Sequence, residues 1–111
     1  MDKESVLDAF AALGQPTRLD VFRLLIKAGE TGMPAGDIGE ALNVRQNTMS
    51  ANLAILARSG LIRSTREGRS IRYFANMDGL RGLLAFLMED CCGGSPELCQ
   101  PVINELACEC G

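Results

Sequence analysis

The spacing of apolar residues leaves its helical period at Gly60, and that change restricts the fold more than any other feature. Upstream, apolar residues recur at helical intervals. Downstream, two β-prone runs, residues 61–66 and 69–74, flank Glu67-Gly68. Two such runs around a two-residue loop containing glycine predict a β-hairpin. The chain is expected to be helical on both sides of that hairpin and to form one domain, since 111 residues suit a single core.

The helices are punctuated by Gly and Pro. Val6, Leu7, Phe10 and Leu13 predict a first helix over 2–13, ended by Gly14-Gln15. Pro16 suits the first turn of a second, in which Leu19, Phe22, Leu25 and Ile26 form one stripe before Gly29. Pro34 starts a short third helix with Ile38, Ala41 and Leu42 inward; Asn43 suits its left-handed end, and Val44 follows as a buried turn residue. A fourth helix over 46–59 turns Met49, Leu53 and Leu56 to the core. Its outward face carries Gln46, Asn47, Thr48, Ser50 and Asn52. Asp78 caps a fifth helix with Leu80, Leu83, Leu84 and Leu87 on a strong apolar face, stopped at Gly93-Gly94.

The longest apolar run, residues 83–88, is far shorter than the roughly 20 residues of a membrane helix, so no membrane partner is expected. Met1-Asp2-Lys3-Glu4 has no basic stretch leading into an apolar one, so no secretory signal is expected either. All five cysteines fall within residues 91–110, which leaves the main body unstapled and points to reduced thiols and a cytoplasmic location. Histidine is absent, which removes the usual general base and every His-containing metal site.

Net charge is −3, yet residues 45–74 hold Arg45, Arg58, Arg63, Arg66, Arg69 and Arg72 against the single acid Glu67, so this window carries +5 and the remainder −8. A polyanion meets the local stripe, not the average. Two short helices joined by a tight turn and followed by a basic hairpin make a winged helix-turn-helix, mainly α with a β-hairpin wing in the order α-α-α-α-β-β-α. The fourth helix fits a major groove, and the uncharged outward side of its first half suits hydrogen-bond readout. Gln46, Thr48 and Ser50, placed opposite Met49, Leu53 and Leu56, are the expected base readers. Arg45 and the hairpin-tip residues Arg66 and Arg69 are expected on phosphate or in the adjacent minor groove.

Thiolates select soft ions. Trivalent arsenic or antimony takes three sulfurs in a pyramid. Cys91-Cys92 at a fraying helix end, with Cys99 beyond Gly93-Gly94-Ser95-Pro96, can close one. Zinc prefers four ligands, and Cys108-x-Cys110 can supply a fourth, so zinc and cadmium stay open. Adjacent thiols also suit a redox or persulfide sensor.

Ala12-Leu13-Gly14-Gln15-Pro16-Thr17-Arg18-Leu19 resembles the opening signature of the ArsR/SmtB family of metalloregulatory repressors. The stretch from Val44-Arg45-Gln46-Asn47-Thr48-Met49 to Ser50-Ala51-Asn52-Leu53 is similar to that family's recognition helix. Leu56-Ala57-Arg58-Ser59-Gly60-Leu61-Ile62 and the Glu67-Gly68-Arg69 wing continue the likeness, which runs over about residues 7–90. The family usually has histidine or serine-histidine where Ala51-Asn52 stands. The resemblance implies a homodimer built from the first and fifth helices, a dyad-symmetric operator and release by an inducer. The family's inducer sites on the third helix (Cys-x-Cys) and the fifth (His and Asp) have no counterpart here. The cysteines instead resemble the arsenite-responsive ArsR branch with a vicinal pair after the fifth helix. That likeness implies Cys91, Cys92 and Cys99 as ligands and leaves Cys108 and Cys110 outside.

The expectation is thus a metalloid-responsive homodimeric repressor. Residues 1–92 would bind DNA and dimerise, and residues 93–111 would form a cysteine-containing tail. Redox, persulfide, cadmium, lead or zinc sensing on the same fold is the alternative. A thiol enzyme needs a nucleophilic cysteine in a pocket, usually in an α/β frame, and a metal scavenger has no use for an arginine wing, so both fit the pattern less well.

Overall fold

The computed structural model describes residues 2–88 and begins with helix α1 (Lys3–Leu13). Asp2 caps it, its carboxylate accepting the Ser5 amide at 2.8 Å and so satisfying one of the free N–H groups of a helix start. Helix α2 (Pro16–Ala28) opens with the same device: Gln15 Oε1 accepts the Arg18 amide at 2.8 Å, and Pro16 stands where no N–H is needed. A 3₁₀ turn (Gly29–Thr31) leads into a two-residue strand, β1 (Met33–Pro34). Pro34 is therefore the N-cap of α3 (Ala35–Leu42) and not its first residue. Then come α4 (Gln46–Arg58), β2 (Ile62–Glu67), β3 (Ser70–Ala75) and α5 (Met77–Met88).

The hairpin forms as expected, with two differences. β1 adds a third antiparallel strand, in the order β1-β3-β2, pairing Met33 with Tyr73 and Pro34 with Arg72. The turn also lies one residue later than expected, at Gly68-Arg69, because Glu67 pairs with Ser70. Gly68 has φ 63° while Arg69 keeps a negative φ, the pattern of a type II′ turn, whose first central position takes glycine.

The core gathers Val21, Phe22 and Leu25 of α2, Ile38 of α3, Met49, Leu53 and Leu56 of α4, and Leu61, Ile62 and Leu83 from the segments that follow. Helix α1 packs differently from its expected stripe. It buries Val6, Ala9 and Ala12, whose small side chains let the helix approach closely, and leaves Leu7 and Phe10 exposed. On α2, Leu19 and Ile26 fall outside the buried stripe, which runs through Val21 instead. On α3 only Ile38 of the expected trio is fully buried: Leu42 is half-buried and Ala41 exposed, while Val44 in the turn is half-buried. Helix α5 sinks only Leu83, with Leu84 and Leu87 exposed. Its start is held by Asn76, whose amide donates to the Leu61 carbonyl at 2.8 Å and whose side chain donates to the Gly60 carbonyl at 2.9 Å. Asp78 pairs with Arg81 on the surface rather than serving as the cap. No helix among the described residues is long and apolar enough to cross a membrane.

Candidate nucleic-acid interface

Helix α3 ends in a tight left-handed turn. Asn43 takes φ 54° and ψ 49°, its amide donates to the Glu40 carbonyl at 3.3 Å, and the Val44 amide reaches back to the Gly39 carbonyl at 2.9 Å. This pair of bonds is a Schellman motif with asparagine at the left-handed position, as read from the sequence. It delivers the chain to Arg45, the extended N-cap of α4, after two linking residues. Gly39 makes the close approach feasible, since a Cβ there would stand 3.0 Å from the Val44 carbonyl oxygen.

Helix α4 buries Met49, Asn52, Leu53 and Leu56 and exposes Gln46, Asn47, Thr48, Ser50 and Ala51. The three expected base readers are therefore all exposed, but they do not share one flank. At about 100° per residue, Asn47 and Ala51 stand opposite the buried seam, Gln46 and Ser50 lie to one side and Thr48 to the other. Gln46 and Ser50 border a groove of about 500 Å³ that the wing closes with Glu67, Arg69 and Ile71. Asn47, outward as its spacing predicts but not among the expected base readers, is thus the central exposed polar residue. Asn52, expected on the outward face, is only 7% exposed and accepts a hydrogen bond from Arg18 Nη1 at 3.2 Å. Its amide turns inward because a partner 34 positions away satisfies it.

The basic stripe divides into held and free arginines. Arg72 is held: Nε meets Glu67 Oε1 at 3.0 Å, and Nη1 donates to the Thr31 carbonyl at 3.0 Å. Arg63 lies over the Phe74 ring, 4.4 Å from its centroid, a cation–π arrangement. Arg45, Arg58, Arg66 and Arg69 are exposed and make no ion pair among the described residues. Arg66 Nε reaches only the Gly68 carbonyl, at 3.4 Å. Four exposed positive charges without an ion pair among the described residues therefore flank α4 and its wing, as a polyphosphate surface requires. Cys91, Cys92, Cys99, Cys108 and Cys110 lie outside the described residues. Among those described, no group of three or more His, Cys, Asp or Glu is placed to hold a metal ion.

A helix pair with this turn, a reading helix and an arginine-tipped hairpin define a winged helix-turn-helix protein. Residues 13–65 match a family model described as a helix-turn-helix domain. The chain is 34% identical over 84 residues to the transcriptional repressor SdpR of Bacillus subtilis (strain 168), spanning 72% of this chain and 90% of that one. Among solved structures, an ArsR-like transcriptional regulator from Rhodococcus sp. RHA1 superimposes with TM-score 0.70 at 26% identity, over 94% of this chain and 93% of the other. The homodimeric winged helix-turn-helix DNA-binding domain of Mb0332 from Mycobacterium bovis gives 0.64 at 27% identity, over 77% of each chain. The chain belongs to the ArsR-type helix-turn-helix family of transcriptional regulators.

Proposed function

We propose that this chain is a repressor that binds a dyad-symmetric operator as a homodimer and is released when trivalent arsenic or antimony binds its cysteine thiolates. One observation carries the DNA half: a helix whose exposed first turns are small, polar and uncharged stands beside a hairpin tip bearing Arg66 and Arg69. Short side chains let α4 approach base edges, where Gln46, Thr48 and Ser50 read sequence. Arg45 at the start of α4 and the wing arginines take phosphate. Two features support the dimer. Leu7 and Phe10 on α1 and Leu84 and Leu87 on α5 are exposed large apolar residues on two helices in mutual contact. The Mycobacterium bovis domain is itself homodimeric. Repression is supported by the likeness to SdpR, a transcriptional repressor.

The inducer half rests on the chemistry of the tail. Cys91, Cys92 and Cys99 offer three soft thiolates, the number a trivalent metalloid takes. Zinc or cadmium prefers four, for which Cys108 and Cys110 are at hand. A hundredfold loss of operator affinity on induction corresponds to a coupling of about 2.7 kcal/mol between metalloid and DNA. The test is arsenite-induced release of a fluorescent operator. Serine at Cys91, Cys92 or Cys99 leaves DNA affinity unchanged and strongly reduces release, and the Cys108/Cys110 double serine variant retains most of it. Loss in the tail double with retention in Cys99→Ser reassigns the site to the tail. Arsenite release that survives removal of all five thiols ends the metalloid reading. Release by peroxide instead, with two thiols oxidised to a disulfide as peroxide is reduced to water, makes the protein a redox sensor.

A further inference from the structure

Arg18 joins three helices through one side chain. Its backbone amide is fixed by Gln15 at the start of α2. Its Nε donates to the Ala12 carbonyl in the last turn of α1 at 2.7 Å, a group with no partner inside that helix. Its Nη1 donates to Asn52 Oδ1, midway along α4. Asn52 is the one polar side chain buried in the core of the described residues. Arg18 makes no ion pair among those residues, so its charge is met by a helix C-terminus and an amide dipole.

The surroundings give this tether its weight. Beside Arg18, a cleft of about 390 Å³ separates α1 from α4, lined by Asp8, Ala11, Ile55 and Arg58. Ala12 and Arg18 line the same cleft, so the bridge lies at its wall. Hydrogen bonds are directional and of fixed length, whereas an apolar contact tolerates sliding. Asn52 directly follows Ala51 on the exposed face, one turn beyond Thr48, so a tilt at Asn52 is a tilt of the reading surface.

We infer that Arg18 is a positioning residue for DNA recognition, holding α4 at a set pose relative to α1 by bridging Ala12 and Asn52. This rests on the reading of α4 as the helix that reads DNA. It makes sequence selectivity, rather than non-specific affinity, the quantity that depends on the bridge. Phosphate contacts tolerate small tilts, and base contacts do not.

The test uses the full chain, a duplex selected by the wild-type protein from a random pool, and a scrambled duplex of equal length. Arg18→Lys keeps the charge but cannot span both acceptors. It is expected to lower the selected-to-scrambled affinity ratio by about tenfold, the scale of one lost base contact, while scrambled-duplex affinity and far-ultraviolet circular dichroism stay unchanged. Asn52→Leu, which removes the acceptor but suits a buried position, should lower the ratio likewise. Asn52→Asp, which keeps the acceptor, should preserve it. Wild-type selectivity in Arg18→Lys, or equal losses on both duplexes in Arg18→Lys and Asn52→Leu, overturns the inference. A wild-type protein that selects no duplex at all overturns instead the DNA-reading assignment beneath it.

Discussion

At Gly39 the helix-turn-helix depends on one missing methyl group. A Cβ there would stand 3.0 Å from the Val44 carbonyl oxygen, so that backbone oxygen must give by a few tenths of an ångström, while Gln46 Oε1 at 3.5 Å is in ordinary contact. Gly39→Ala is expected to destabilise by about 1–3 kcal/mol, as overpacking does, and to weaken DNA binding by displacing α4. Urea denaturation checks the first effect, and an unchanged midpoint contradicts it. Asp2 gives a pH dependence of known sign. The Ser5 amide hydrogen bond holds its carboxyl below the ordinary value of 3.8. A carboxyl lowered in the folded state stabilises above its unfolded value, and that contribution is lost as pH falls through the lowered one. The start of α1 should therefore fray on acidification below about pH 4, seen as loss of hydrogen-exchange protection at the Ser5 amide in the native protein but not in Asp2→Asn. Equal behaviour of the two removes the cap from consideration.

Each element of the interface makes its own claim on DNA. If the hairpin tip lies on phosphate, Arg66→Ala and Arg69→Ala should each flatten the dependence of log affinity on log salt by about one unit per contact removed. A slope unchanged in both takes the wing off the backbone. Arg72→Ala should leave the slope nearly unaltered, because Glu67 and the Thr31 carbonyl already engage its guanidinium. That distinction was not legible in the sequence, where six arginines look alike. Punctuation made the helices legible: Pro16, Asn43 and Gly60 mark boundaries through backbone geometry, which is local. Three features needed partners far along the chain. β1 is two residues long, contains a proline and has no period to detect; only its pairing with Tyr73 and Arg72 makes it a strand. Asn52 reads as solvated until Arg18 is placed beside it. On α1, hydrophobicity pointed to Leu7 and Phe10, whereas close helix packing selected Ala9 and Ala12.

Taken as one body, the described chain leaves large apolar side chains of α1 and α5 exposed. Leu7 at 56% and Leu87 at 52% exposure are the largest examples. Dimerisation through α1 and α5 should make Leu7→Glu or Leu87→Glu monomeric in sedimentation at micromolar concentration, with operator affinity falling in step; a wild-type monomer that still binds operator refutes the interface. The three-stranded sheet has a consequence for how the wing can move. β3 is bonded to β2 on one side and, on the other, to the strand that runs directly into α3; Arg72 adds a clasp to the Thr31 and Gly32 carbonyls. The wing is consequently no hinged flap. If α4 and the wing seat on DNA together, the base of the wing cannot shift without carrying the start of α3 with it. On the function proposed above, an inducer would then act on how far apart, and at what angle, the two protomers are held rather than on the hydrogen-bonded base of each wing.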